Sequence, residues 1–122
     1  MYRRRRAHPE DQIQRTVLAH LYARAPRNAF WFAVPNGGGR SPIEASILRG
    51  LGVKPGVPDL IIIYGGKTYG LELKADGNRP TKLQIEAQNA MRAAGAEVAI
   101  AVGLDAALQQ LEGWQLLRGR AS

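Results

Sequence analysis

The sequence predicts a mixed α/β domain in which helices flank a central β-sheet. Segments with a helical spacing of apolar residues alternate with short apolar segments that are typical of strands. A Gly65-Gly66 pair joins two strand-like segments as a hairpin, and 122 residues suffice for one hydrophobic core but not for two. The expected order of elements is helix, strand, helix, hairpin, helix, strand, helix. We therefore expect one domain over residues 8–122, preceded by a basic arm over residues 1–7.

Two helices and one strand are expected before the hairpin. Pro9 suits the first position of a helix. Residues 30–34 have the composition of a short apolar strand. Ser41 and Glu44 form a capping-box pattern, which predicts the start of a second, short helix. The first helix carries an inward apolar stripe at helical spacing, formed by Ile13, Val17, Leu18 and Leu21.

The hairpin has the clearest local signals. Leu60–Tyr64 is a continuous apolar run rich in isoleucine, which favours a strand buried on both faces. Gly65-Gly66 is a two-residue turn signal, and residues 67–75 form the return strand. The return strand presents two different faces, one formed by Tyr69, Leu71 and Leu73 and the other by Gly70, Glu72 and Lys74.

A third helix begins after the hairpin. Thr81 and Gln84 form a second capping box, and Gly95 is the natural end of the helix that they open. The residues expected on the inward side of this helix are Leu83, Ala87, Ala90, Met91 and Ala94. The remaining elements are expected to be a buried strand at 98–102, a short helix at 105–111 and an edge strand at 114–117.

The charge of the chain favours a polyanionic partner. Seventeen Lys and Arg residues oppose ten Asp and Glu residues, giving a formal net charge of +7. Nucleic acid is the commonest partner of such a protein. Four consecutive arginines, Arg3, Arg4, Arg5 and Arg6, could grip phosphates or could form a solvated arm that only aids solubility.

Composition excludes several other classes of protein. The sequence contains no cysteine, so it has neither a disulfide framework nor a thiolate metal site. No apolar run approaches the roughly 20 residues needed to cross a bilayer. The start of the sequence lacks the apolar stretch of a signal peptide. We therefore expect a soluble, intracellular protein without a membrane partner.

The hairpin register brings two acids together. With Gly65 and Gly66 as the loop, counting outward from the turn places Asp59 opposite Glu72, with their β-carbons about 4.5–5.5 Å apart. Lys74 projects from the same face as Glu72. Like charges at that distance are unfavourable unless a cation or a shared proton compensates, and Mg²⁺ prefers carboxylate oxygens. The alternative is that Asp59 caps the strand while Glu72 and Lys74 form an ordinary ion pair.

Glu10 is a further candidate acid on the first helix. It lies three residues before Ile13, so it extends the inward apolar stripe of that helix. A carboxylate at the edge of a buried stripe is costly unless it is paired or bound to a cation. The alternative is an acid at a helix start that the helix macrodipole stabilises.

These motifs resemble those of a known nuclease superfamily. Val57-Pro58-Asp59 followed by Glu72-Leu73-Lys74 resembles the signature of the PD-(D/E)XK nucleases. Within that superfamily the chain is similar to the virus-type replication-repair nuclease (VRR-NUC) family, in the compact stand-alone form found in phages and bacteria. The resemblance extends over roughly residues 8–112 and rests on Glu10 with Gln14, the run at 52–60, the run at 71–74, Thr81 with Gln84, and Gly95.

The resemblance implies a fold, a cofactor and a set of site residues. The implied fold is a restriction-endonuclease-like core, and the implied cofactor is Mg²⁺ or Mn²⁺. Asp59, Glu72, Glu10 and the backbone carbonyl of Leu73 would be the metal ligands. Asp59, Glu72, Lys74, Glu10 and Gln84 would form the catalytic set. No extra acid stands beside the Pro-Asp motif, so the number of metals per site stays open.

The resemblance also implies a substrate and partners. The implied activity is a structure-selective DNA endonuclease that acts on branched DNA, such as Holliday junctions or flaps, in replication, recombination or repair. The expected assembly is a homodimer in the cytoplasm of a bacterial cell or a phage-infected host. Residues that could contact phosphate, or could be solvated surface, are Arg3, Arg4, Arg5, Arg6, Asn36, Arg40, Lys54, Arg79 and Lys82.

Three other functions compete with this interpretation. The first is a non-catalytic nucleic-acid-binding module that keeps the nuclease fold. The second is a restriction-type nuclease that reads a short sequence. The third is a basic RNA-associated structural protein, which only the net charge supports.

Overall fold

The predicted order of elements is confirmed. A computed structural model of the chain describes residues 9–35 and 41–119, so the expected arm at 1–7 lies outside the described residues. No helix in these ranges is both long and apolar enough to span a membrane. The elements in chain order are α1 (Pro9–Arg24), β1 (Phe30–Ala33), α2 (Pro42–Gly50), β2 (Leu60–Tyr64), β3 (Lys67–Lys74), α3 (Lys82–Ala93), β4 (Glu97–Val102) and α4 (Leu104–Gly113).

The four strands form one mixed sheet in the order β1-β2-β3-β4. β2 pairs with β1 and with β3 in the antiparallel sense, whereas β3 and β4 are parallel. The predicted hairpin register is confirmed from the Tyr64–Lys67 pair to the Leu60–Leu71 pair. Gly65 and Gly66 have φ values of 61° and 78°, as a tight turn with two left-handed residues requires.

One face of the sheet is covered by α1 and α4. The predicted inward stripe of α1 is confirmed, because Val17 and Leu21 are fully buried while Ile13 and Leu18 pack against the same cluster. Alternate residues of the strands meet these helices, as the two-residue period of a strand dictates. The buried cluster on this face contains Val17, Leu21, Leu60, Ile62, Leu71, Leu73, Ala101, Ala107, Leu108, Leu111, Leu116 and Leu117.

The opposite face is covered only in part. A β-carbon on Gly70 would lie 2.9 Å from both Pro58 Cγ and Val98 Cγ1, so the loop before β2 packs directly on the sheet here. Farther toward the edge of the sheet, Ile63 is 40% exposed, beside the exposed ring of its β1 partner Phe30. The expectation that β2 is buried on both faces is therefore wrong. Helices cover one of its faces, and the second face stays partly open near β1.

The inward face expected for α3 is partly wrong. Leu83 is 52% exposed, and Ala90 and Ala94 also face solvent. Gln88 is 2% exposed instead, and its Nε2 is buried without a hydrogen-bond partner among the described residues. The helix thus turns a polar side toward the sheet. A purely apolar criterion misses this rotation, because the sheet face beneath α3 carries charged groups.

The strand expected at 114–117 is absent from the structure. The chain reverses at the end of α4 instead, with Gln115 in the left-handed region at φ 63°. The Leu116 N–H donates to the carbonyl of Leu111 at 2.9 Å, which closes the last helical turn. Leu116 and Leu117 then insert into the core. The apolar residues predicted as a strand are therefore buried by a helix-terminal turn.

Candidate active site

The structure brings Asp59, Glu72 and Lys74 together at the open end of the hairpin. Asp59 follows Pro58 directly before β2, and its Oδ2 accepts the backbone N–H of Leu73 at 2.8 Å. Its carbonyl accepts the N–H of Val34 at 2.8 Å, which continues the contact between β1 and β2 beyond the ladder. Lys74 Nζ lies 3.6 Å from Glu72 Oε2. The predicted convergence of the two acids and the lysine is thus observed in the structure.

Glu72 is held in an unfavourable environment for a carboxylate. Its side chain lies on the face of β3 that α3 covers, and the residue is 2% exposed. Burial and the negative charge of Asp59 raise the pKa of Glu72 to about 8, although Lys74 acts in the opposite direction. Near neutral pH, Glu72 therefore holds its proton unless additional positive charge stabilises the carboxylate.

One oxygen of Glu72 has no protein donor. Oε2 accepts a hydrogen bond from Gln84 Nε2 at 3.1 Å and faces Lys74, whereas Oε1 is buried without a hydrogen-bond partner within the described ranges. A buried carboxylate oxygen without a donor is costly. A divalent cation would satisfy this oxygen and would offset the repulsion from Asp59. The residues present therefore fit a cation that prefers oxygen ligands.

The donor set favours magnesium or manganese. Carboxylate and carbonyl oxygens suit Mg²⁺ and Mn²⁺, and Mg²⁺ commonly uses one or two carboxylates with water and substrate oxygens. Among the described residues, no group of three or more His, Cys, Asp or Glu side chains is placed to hold a metal. Asp59 and Glu72 would therefore be the side-chain ligands, with other positions left for water, substrate and the Leu73 carbonyl.

Gln84 connects the start of α3 to Glu72. Its Oε1 accepts the backbone N–H of Thr81 at 2.9 Å, and its own N–H donates to Thr81 Oγ1 at 3.2 Å. The predicted capping box is thus confirmed. The backbone N–H of Thr81 needs an acceptor, so the Gln84 amide must turn its oxygen toward Thr81 and its nitrogen away from it. That nitrogen donates to Glu72.

Gly56 brings the loop before Asp59 against the same helix start. Its φ is +80°, and a β-carbon there would lie 2.4 Å from Leu83 O and 2.8 Å from Gln84 N. Both atoms belong to the backbone and cannot move aside easily. Only glycine permits this approach. The first turn of α3 is therefore packed between the loop that leads to Asp59 and the side chain of Glu72.

Glu10 lies at the end of β3 and does not join a three-acid cluster. Its Oε2 accepts the Asn78 side-chain N–H at 2.7 Å and the Ala75 backbone N–H at 3.3 Å. These contacts attach the start of α1 to the turn that follows Lys74. Sequence reasoning missed Asn78, whose only local signal is its place in the turn-forming Asp76-Gly77-Asn78 segment.

Three of the residues predicted to contact phosphate lie in the described part of the chain. Lys54, Arg79 and Lys82 are exposed. Lys82 Nζ lies 3.9 Å from Glu86 Oε1 on the same helix, and such an exposed ion pair contributes little to stability. The other predicted contacts, Arg3, Arg4, Arg5, Arg6, Asn36 and Arg40, lie outside the described residues.

The solved structures that are similar to this chain include the following three. A "VRR_NUC domain protein" has a TM-score of 0.73 and 25% sequence identity, covering 92% of this chain and 93% of the other. A chain titled "VRR_NUC domain" has a TM-score of 0.59 at 20% identity, covering 88% and 97%. A Holliday junction resolvase from the archaeal hyperthermophile Archaeoglobus fulgidus has a TM-score of 0.47 at 20% identity, covering 75% and 65%.

The first two likenesses confirm the predicted restriction-endonuclease-like fold. No protein-family model matches the sequence, and no curated protein matches it either.

Proposed function

Because this chain carries a VRR-NUC domain, we propose that it is a metal-dependent nuclease that hydrolyses phosphodiester bonds in DNA. The observation that carries this proposal is the buried Glu72 carboxylate, which lies beside Asp59 and Lys74 and has one oxygen without a donor among the described residues. Such an arrangement is unfavourable in a protein that only binds DNA, because a buried carboxyl group beside another acid lowers stability and contributes nothing to DNA binding. With a divalent cation bound at Asp59 and Glu72, the site would attract phosphate.

Asp59 and Glu72 would hold Mg²⁺ or Mn²⁺, and the carbonyl of Leu73 would add a further ligand. The ion would polarise the phosphate and lower the pKa of an attacking water molecule. The hydrogen bond from the Leu73 N–H to Asp59 Oδ2 restrains one carboxylate, and the Gln84 amide restrains the other. The protein would therefore present its ligands already oriented before the ion arrives.

Lys74 would act on the substrate side of this site. Its ammonium group is 3.6 Å from Glu72 Oε2 and is largely buried, so its charge is only weakly screened by solvent. From that position it would orient the attacking water or neutralise charge that develops on the phosphoryl oxygens. Glu10 would position the segment after Lys74 through Asn78 and Ala75.

The proposed substrate is branched DNA, such as a Holliday junction or a flap, cut during replication, recombination or repair. A net charge of +7 supports binding to a polyanion. Contacts from basic side chains to phosphates carry no base-sequence information, so they favour selection of the substrate by its shape. We assign this action to the cytoplasm of a bacterial cell or of a phage-infected host.

A homodimer would place two active sites on a branched substrate. An exposed apolar stripe, formed by Ile43 and Ile47 of α2 and by its C-cap Leu51 at helical spacing, supports association with another protein surface. Sedimentation equilibrium of the wild type and of Ile47→Glu tests this assembly. A wild type that stays monomeric at micromolar concentration would contradict the homodimer.

Cleavage of labelled DNA tests the proposed activity. Four-way junction, flap, single-strand and duplex substrates are incubated with Mg²⁺, Mn²⁺ or EDTA, comparing the wild type with Glu72→Ala. We expect metal-dependent cutting that the substitution lowers by at least about 10²–10³-fold. Discrete fragments from plasmid DNA would favour a sequence-reading nuclease. Binding in EDTA without cutting under any condition would favour a non-catalytic DNA-binding module.

A further inference from the structure

A groove lies beside the proposed metal site, between α2, the segment 53–57 and the first turn of α3. Its volume is about 630 Å³, within the range of about 300–1,000 Å³ that is typical of pockets for small organic ligands. Aliphatic side chains form most of its walls, and two cations, Arg49 and Lys54, also line it. The aliphatic lining includes Val34, Leu48, Val53 and Val57.

The groove and the acidic site share one residue. Gln84 lines the groove, and its Nε2 donates to Glu72 Oε2 at 3.1 Å. Thr81, whose side chain caps α3, also lines the groove. The groove therefore adjoins the position that a phosphate bound at Asp59 and Glu72 would occupy.

The lining is complementary to a nucleotide and not to phosphate alone. Aliphatic walls exclude water from a flat base and a sugar, whereas the two cations can contact the phosphates on either side of them. Within the described ranges, neither Arg49 nor Lys54 forms a salt bridge with an acidic residue. Both charges are therefore available for a phosphate.

We propose that this groove binds the base and sugar of one unpaired nucleotide next to the phosphodiester bond that is cut. This assignment rests on the proposed nuclease function for the position of the cut. Bases in an intact duplex are stacked and paired, so they cannot enter a groove with aliphatic walls without the cost of unstacking. The protein would therefore select DNA in which a nucleotide is already unpaired, as at a flap or an open junction.

Two adjacent small residues of α2 provide a matched test. Ala45 lines the groove, whereas its neighbour Ser46 is exposed and does not line it. No residue of α2 is buried, so neither Ala45→Trp nor Ser46→Trp disturbs the core. The dissociation constants of fluorescent DNA are measured in EDTA, where no metal-dependent cutting occurs, for a duplex and for the same duplex with a short unpaired flap.

We expect the wild type and Ser46→Trp to bind the flapped DNA about tenfold more tightly than the duplex, and Ala45→Trp to lose that preference. Equal behaviour of the two Trp variants would overturn the proposal, as would a wild type without preference. A change of oligomeric state in Ala45→Trp alone would assign the groove to a second copy of the chain and also overturn it.

The cations provide an independent readout. Arg49→Ala and Lys54→Ala should each weaken binding of flapped DNA and lower the slope of log K against log salt by about 1, since each removes one phosphate contact. Unchanged slopes would contradict the proposal that DNA binds in this groove. Cleavage is measured separately. Binding that depends on the groove, without metal-dependent cutting, would reject the nuclease function and retain the nucleotide groove. Metal-dependent cutting that Ala45→Trp leaves unchanged would retain the nuclease function and reject the nucleotide groove.

Discussion

The two faces of the central sheet carry different kinds of side chain, although the same strands form both. On the face covered by α1 and α4, side chains such as Leu71 and Leu73 belong to the hydrophobic core. On the face beneath α3, Glu72 and Lys74 occupy alternate positions of the same strand, Gln84 donates to Glu72 from the helix, and Gln88 is buried. One strand of eight residues thus contributes to the core and to the candidate site.

This difference shows how a small domain can hold an unfavourable site. Burial of apolar surface stabilises the first face by about 25 cal/mol for each Å². That stabilisation offsets the cost of a buried carboxylate on the second face, one of whose oxygens has no donor in the described part of the chain. The polar face is therefore expected to respond to metal and pH, whereas the apolar face responds to side-chain volume.

Substitutions of adjacent residues test the contrast most directly. Leu71→Ala removes a fully buried side chain and should lower the free energy of unfolding by about 2–5 kcal/mol. Glu72→Gln keeps the shape of its side chain and removes a buried negative charge, so the free energy of unfolding at pH 8 should be unchanged or higher. Denaturant titration measures both. Equal losses would mean that the two faces make the same kind of contribution to stability.

The approach of Gly56 to α3 gives the next largest expected effect. Gly52→Ala places a side chain at φ +95° in open space, so it should cost about 1–2 kcal/mol from backbone strain alone. Gly56→Ala adds a clash with the Leu83 carbonyl at 2.4 Å and should cost about 1–3 kcal/mol more. If chemical denaturation gives equal losses for the two variants, the close approach of the loop to α3 adds no cost beyond backbone strain.

The polar face should also make stability depend on pH and metal. The pKa of Glu72 rises on folding from its ordinary value of 4.5 to about 8, so the folded state holds the proton more tightly. That contribution is complete below pH 4.5 and is lost as the pH rises through about 8. We therefore expect the melting temperature in EDTA to fall over this range.

Divalent metal should oppose this fall, because it stabilises the ionised carboxylate. At a concentration 100 times its Kd, Mg²⁺ adds about 2.7 kcal/mol. Glu72→Gln is the control, and it should remove most of both the pH dependence and the metal dependence. A wild-type melting temperature that Mg²⁺ leaves unchanged at pH 8–9 would contradict a metal site at Glu72.

The smallest expected effects concern the cap of α3. Thr81→Ala should lower the free energy of unfolding by about 1 kcal/mol through loss of the N-cap. Gln84→Ala should in addition weaken Mn²⁺ binding about tenfold, because Glu72 loses the amide that orients it. Thr81→Ser keeps the cap and should behave as the wild type in calorimetric titration with Mn²⁺. Equal Mn²⁺ affinity in Gln84→Ala and the wild type would limit Gln84 to a capping role.

Much of the fold was predictable from local patterns. The hairpin register follows from a two-residue glycine turn, and from that register the meeting of Asp59 with Glu72 could be predicted. The error on α3 arose because apolar spacing was taken to define the buried side, whereas Gln84 contacts Glu72 and Gln88 is the buried residue of the helix. The error at 114–117 arose because apolar residues can be buried equally well by a strand or by a turn at the end of a helix, so their burial does not identify the element.

The sequence by itself determined the order of the elements, the hairpin register, the two helix caps and the side of β3 that carries Glu72 and Lys74. Each of these depends on turn chemistry or on a repeat of two to four residues, which act within a short segment of chain. Only the tertiary structure decided that Glu10 contacts Asn78 and that Gln84 restrains Glu72. It also decided that Gly56 touches the backbone of α3. These contacts join segments distant in sequence, so they depend on how the helices pack against the sheet.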